Sequence, residues 1–170
     1  MIRAFIGLGS NVGDRLANLV ASVAALSAKG VEIVRVSSIY ETDPVGPPQD
    51  DFLNAAVAVN TELSAQELIE TLKSVEQELG REEAPKWGPR VIDLDLLLFG
   101  DQTIDEPGLT VPHAELTNRA FALIPVLELD PDLELPSGEP LSAFCERNPP
   151  GVRLVAPARE LLGDAIAGDG

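Results

Sequence analysis

Two amphipathic helical segments, each enclosed by apolar strand-like runs and each closed by a glycine, limit what this chain can fold into. The first covers Asp14 to Lys29, with Leu16, Leu19, Val20, Val23 and Leu26 at helical spacing and Gly30 as the stop. The second opens at Ser64, whose partner Glu67 completes a capping box, while Leu63 and Leu68 are spaced as a hydrophobic staple. Its stripe is Leu68, Leu72, Val75 and Leu79, ended by Gly80. Strand-like runs cover residues 2–8, 31–40, 52–61 and 91–99, and the stretch 41–51 is a Pro/Gly-rich loop. A further helix is expected over 117–129, bent or divided at Pro125. The order β-α-β, β-α-β predicts an α+β fold. It is that of a ferredoxin-like βαββαβ sandwich, helices on one face of an antiparallel sheet, with an additional helical and loop segment at the C-terminus.

A length of 170 residues suits one domain, expected over 1–162, with 163–170 as a flexible tail. Cys145 and His113 are each the sole residue of their type, which excludes a disulfide framework and a multi-histidine metal site. Apolar runs fall far short of the roughly 20 residues of a membrane span, and the N-terminus leads straight into a strand, so no membrane partner and a cytoplasmic location are expected. The net charge of −16 argues against a nucleic-acid partner. Against that background, the cations Lys73, Arg81, Lys86, Arg90 and Arg119 cluster in and around the central third, where they can form a local positive pocket.

Chemistry concentrates at Asp93-Leu94-Asp95, inside an otherwise apolar strand. Side chains two apart share a face, so both carboxylates emerge together, roughly 7 Å apart, while Ile92, Leu94, Leu96 and Leu98 point into a core. The pair suits Mg²⁺ bridging to phosphates, and it equally suits two solvated aspartates on a half-exposed strand. Trp87-Gly88-Pro89-Arg90 immediately upstream adds cations beside the carboxylates, as phosphoryl transfer requires, and places Trp87 either in packing or stacked on a planar substrate. Gly7-Leu-Gly9-Ser-Asn-Val-Gly13 lacks the dinucleotide spacing, and there is no GxxxxGK[ST] loop, so it reads as a turn feeding a helix. His113 is either a phosphate donor or general acid, or a structural residue. A non-catalytic module such as an RNA-recognition domain is a second reading, which the acidic charge opposes, and a metal-dependent hydrolase using the same aspartates is a third.

These residues together resemble the 6-hydroxymethyl-7,8-dihydropterin pyrophosphokinase family. The matching stretches are Gly9-Ser10-Asn11-Val12-Gly13-Asp14, Tyr40-Glu41-Thr42 with Pro44-Val45-Gly46, Phe52-Leu53-Asn54-Ala55, Glu76 with Leu79-Gly80-Arg81, Trp87 to Arg90 with Ile92 to Asp95, Val111-Pro112-His113 and Arg119-Ala120-Phe121. The resemblance implies transfer of pyrophosphate from ATP to the hydroxymethyl oxygen of a reduced pterin, releasing AMP, by a monomer using two Mg²⁺ ions. It implies catalytic roles for Arg81, Arg90, Asp93 and Asp95, the two aspartates holding the metals. Lys73, Glu76, Lys86, Leu96, Thr110, His113 and Arg119 fall on the nucleotide side. Thr42, Pro44, Val45, Phe52, Asn54, Trp87 and Phe121 fall on the pterin side. The chain departs from the family at Glu82-Glu83-Ala84-Pro85-Lys86, where the family's mobile loop is often basic, and at Ala114, where an aromatic often follows the histidine.

Overall fold

A computed structural model describes residues 1–44, 48–80, 91–146 and 149–162. Residues Val45, Arg81, Lys86, Trp87 and Arg90, the acidic stretch 82–86 and the tail 163–170 therefore lie outside the described residues. The N-terminal apolar run forms β1 (Ile2–Ser10). The Asp14 side chain then accepts the Ala17 N–H at 3.1 Å and starts α1 (Arg15–Ala28). Three strands follow, β2 (Glu32–Val36), β3 (Ile39–Thr42) and β4 (Phe52–Thr61), leading into α2 (Ala65–Glu78). Both bonds of the expected capping box are present: Ser64 Oγ accepts from Glu67 N at 3.1 Å, and Glu67 Oε1 accepts from Ser64 N at 3.0 Å. After β5 (Asp93–Phe99) come a small hairpin of β6 (Ile104–Glu106) and β7 (Leu109–Val111), then α3 (Ala120–Leu129) and β8 (Val152–Ala156).

The main sheet runs β5-β1-β4-β3-β8, with β2 also on β4, and every pairing is antiparallel. Because successive residues of β1 alternate faces, Ala4, Ile6 and Leu8 meet Leu19, Val23 and Leu26 of α1 and Leu68, Leu72 and Val75 of α2. Phe5 faces the other way with Ala56, Ala58 and Leu97, and there it meets Leu123, Val126 and Leu129 of α3. Helices thus cover both faces, not the single face expected. The reason lies in α3, whose run AFALIPVLEL is apolar on nearly every side and carries no stripe to reveal which surface it covers. Pro125 sits within it without ending it.

Two other expectations are corrected by bulges. The strand expected over 31–40 divides at Ser37-Ser38, where four steps from Val36 to Tyr40 match three steps from Val57 to Asn54 on β4. In β5 the register slips between the partners of Phe5 and Ile6, so Leu97 is an extra residue. Leu98 consequently packs on the α3 side and Phe99 on the α1/α2 side, the reverse of simple alternation. The sequence pattern predicts neither the β6–β7 hairpin nor β8. No helix among the described residues is long and apolar enough to cross a membrane.

Candidate active site

Strands β1 and β5 lie side by side, with Gly7 opposite Asp95 and Gly9 opposite Asp93. Both pairs face the α3 side, and the glycines carry no side chain, so the two half-buried carboxylates border open space. On the far side of β1, Asn54 of β4 pairs with Gly9. A Cβ built on Gly9 would stand 2.8 Å from Asn54 Oδ1, so only glycine lets that amide lie where it does. Asn54 Nδ2 in turn donates to Thr42 Oγ1 of β3, and both residues are buried. A polar strip therefore crosses four strands, from Thr42 through Asn54 and the bare Gly9 to Asp93.

Above this strip is a cavity of about 110 Å³. Thr42, Asp43, Phe52 and Asn54 form one wall, Asp93 and Asp95 the opposite one, and Arg119, Phe121 and Ala122 close it from the start of α3. The Arg119 guanidinium stands over the Phe121 ring, 5.6 Å from its centroid, which holds a cation and a flat apolar face together. A second cavity, about 430 Å³, opens at the outer edge of β5. Lys73 and Glu76 of α2, Leu96 of β5, Thr110 of β7 and His113 line it, and it shares Asp93 and Asp95 with the first.

Glu76 is only 4% exposed and its Oε2 accepts the Leu94 N–H at 2.9 Å. Leu94 separates the two aspartates on β5, which among the described residues is the edge strand of the sheet. The buried carboxylate thus satisfies a backbone donor at the point from which both aspartates project. His113 is tied to the same strand by its own N–H, which donates to Leu97 O at 2.9 Å. Its Nδ1 accepts the Glu115 N–H at 3.1 Å, which puts the ring proton on Nε2, 3.8 Å from Asp95 Oδ1.

Burial, assisted by the charge of Arg119, lowers the His113 pKa below the usual histidine value, against the opposing pull of Asp93 and Glu115. The folded state therefore favours the neutral ring. Its contribution to stability is present above the unfolded pKa, about 6.5, and is lost as pH falls through the lowered folded value. Urea unfolding across that window should show falling stability, and His113→Gln should flatten this part of the profile. An unchanged profile in the variant would assign the dependence elsewhere.

Of the residues named from sequence, the first cavity gathers Thr42, Phe52, Asn54, Arg119 and Phe121, and the second gathers Lys73, Glu76, Leu96, Thr110 and His113. Arg119, expected with the nucleotide residues, lines the first cavity. Pro44 lines neither, and its neighbour Asp43 stands in its place. Gly7 lies in the strand expected over 2–8, and Gly9 extends that strand floor instead of opening the expected turn. A signal for this was present: Gly7-x-Gly9 and Asp93-x-Asp95 have the same two-residue period, which lets bare positions on one strand face carboxylates on the next.

Two clefts that share a pair of carboxylates form a layout suited to an enzyme of the transferase class. The chain belongs to the 7,8-dihydro-6-hydroxymethylpterin-pyrophosphokinase family, whose model matches residues 5–131. Relatives named 2-amino-4-hydroxy-6-hydroxymethyldihydropteridine pyrophosphokinase are similar over most of their length. The one from Synechocystis is 41% identical over 163 residues, covering 94% of this chain and 84% of the relative. That from Bacillus subtilis is 47% identical over 133 residues, covering 77% and 80% respectively. Among solved structures, wild-type Plasmodium falciparum HPPK-DHPS superposes with a TM-score of 0.65 over 84% of this chain at 15% identity, a likeness of fold. The chain spans 44% of that larger protein.

Proposed function

We propose that the first cavity takes the pterin and the second takes ATP, with transfer occurring at Asp93 and Asp95 where the two meet. As a member of its family the chain transfers pyrophosphate from ATP to 6-hydroxymethyl-7,8-dihydropterin, a step of folate biosynthesis. The observation that carries the subsite assignment is that both cavities are lined by the same two aspartates. In the reaction the hydroxymethyl oxygen bonds to the β-phosphorus, the bridge from that phosphorus to the α-phosphate oxygen breaks, and AMP departs with the electron pair while the hydroxyl loses its proton.

The chain's residues divide the work. Phe121 offers a ring face to the heterocycle, and Asn54 and Thr42 offer polar groups to its edge. Phe52 closes the wall beside them. Across β5, the Nε2–H of His113 and the Lys73 ammonium are donors for phosphate oxygens. Arg119, on the pterin side of the aspartates, is positioned for charge on the transferred group. Leu96 and Thr110 line the nucleotide cleft. Arg81, Arg90, Lys86, Trp87 and Val45 enter this reading on the sequence resemblance alone.

The donor set fits Mg²⁺. Among the described residues no group of three or more His, Cys, Asp or Glu side chains is placed to hold a metal, whereas Asp93 and Asp95 offer two carboxylates on one face. Mg²⁺ is commonly held by one or two carboxylates plus substrate phosphates, and that is what this pair would supply for two ions. When bound, the metal neutralises charge on the phosphates. The strand order β5-β1-β4-β3 with two crossing helices supports a ferredoxin-like core within one domain over 1–162. A monomer acting in the cytoplasm completes the reading.

Incubation with ATP, Mg²⁺ and the hydroxymethyl pterin should give AMP and pterin diphosphate in equal amounts. Free phosphate or ADP would instead indicate hydrolysis or simple kinase chemistry. Phe121→Ala should weaken pterin binding by about 1–3 kcal/mol, the scale of base stacking on an aromatic ring, with much less change for ATP. Calorimetry showing the opposite selectivity would exchange the two subsites.

A further inference from the structure

The connection from β3 to β4 borders the first cavity at both ends. Thr42, the last residue of β3, and Phe52, the first of β4, are cross-strand partners and both line that cavity. Immediately outside them stand Asp43 and Asp51. One guanidinium reaches both: Arg153 Nη1 donates to Asp43 Oδ1 at 3.0 Å and Nη2 donates to Asp51 Oδ2 at 3.0 Å. Glu41 of β3 lies 3.4 Å from the same Nη2. Arg153 belongs to β8, where it is the register partner of Glu41, and the Asp43 N–H donates to Gly151 O at 2.9 Å just before that strand. All of β8 lies beyond the residues that match the family model.

We infer that Arg153 is a positioning residue for the pterin cavity, joining the two ends of the β3–β4 connection by its bridge from Asp43 to Asp51. This rests on the assignment of the first cavity to the pterin. Three carboxylates, Glu41, Asp43 and Asp51, converge at this mouth. Arg15 offsets part of that charge through Glu41 Oε2 at 3.0 Å and also donates to Asp51 O at 3.0 Å, but it does not reach Asp43 in this arrangement. Asn11 holds the same connection at Gln49 and at Asp50 O. Among the described residues, Arg153 is thus the cation that spans the mouth. Without it, repulsion between Asp43 and Asp51 favours their separation and carries Thr42 away from Phe52. The Arg153 side chain is 43% exposed, so the bridge adds little to global stability, and its effect should appear in substrate affinity.

Steady-state kinetics on the full chain test this. Arg153→Met keeps the apolar stem and removes the donors. It should raise the pterin KM roughly fivefold, leave the ATP KM and kcat unchanged, and move the melting temperature by no more than about 2 °C. Arg153→Lys should restore only part of the affinity, since one ammonium does not reproduce a fork that holds two carboxylates. Asp51→Asn should raise the pterin KM by itself and add little in combination with Arg153→Met, because both remove the same bridge. Phe121→Ala, measured alongside, reports on the cavity. If it raises the pterin KM while Arg153→Met does not, the positioning role is overturned and the cavity assignment stands. If Phe121→Ala leaves the pterin KM unchanged, the cavity assignment fails and this inference with it. Equal rises in both KM values with a lower melting temperature, or full rescue by lysine, would overturn the bridge in favour of general structural support or charge alone.

Discussion

Asp93→Asn and Asp95→Asn should each lower turnover by at least about 10²-fold, the scale of losing a principal electrostatic stabiliser. The two carboxylates leave β5 on one face, opposite Gly9 and Gly7, and they are the residues common to both clefts. Each substitution is isosteric and removes one charge from the site proposed to hold a cation against the phosphates. Folding should be preserved, because asparagine fills the same volume and the strand's inward residues Leu94 and Leu96 are untouched. Near-native melting temperatures with lost activity are the expected pair of results. Activity within a few-fold of the native enzyme in both variants would remove the metal assignment.

Gly9→Ala should raise the pterin KM by about tenfold or more while leaving ATP affinity nearly intact. The new methyl group would lie 2.8 Å from Asn54 Oδ1, closer than a carbon and an oxygen can stand. β1 is flanked by β4 and β5, so its backbone has little room to retreat, and Asn54 must move. Its bond to Thr42 is then lost in a buried setting, where an unsatisfied polar group costs about 1–3 kcal/mol. Gly7→Ala is the control: its Cβ would meet Leu97 Cδ1 at 3.3 Å, the end of a side chain that can shift. Equal, small effects in both variants would show that the Asn54–Thr42 pair does not govern pterin binding.

Most of the secondary structure follows from local rules, and the clearest elements carried the strongest local signals. The Ser64–Glu67 box starts α2 as its spacing predicts, and Phe52 to Thr61 is β4 residue for residue. Bulges were not legible. The slip at Leu97 that sends Leu98 toward α3 arises from the fit of β5 against β1, which a single strand's pattern does not record. Nor was β8, whose outer residues Leu154 and Val155 are exposed and which exists as a strand through its pairing with β3.

The carboxylate pair was readable from one strand because its two-residue period is a property of the extended backbone itself. His113 stands out by residue type, whereas Thr42, Phe52, Asn54 and Phe121 enter through resemblance, one motif at a time, without their grouping. That grouping needs distant segments: Thr42, Asn54, Asp93 and Phe121 lie far apart along the chain and meet because β3, β4, β1 and β5 are neighbours beneath α3. The part played by Gly7 and Gly9 is similar, since a missing side chain acquires meaning through what stands across from it. Local propensity and periodicity therefore set the elements and the charged centre, both encoded within a few residues. Cross-strand register and the choice of sheet face for α3 set the division into two cavities and the reach of Arg153, because these depend on packing between segments that the chain order keeps apart.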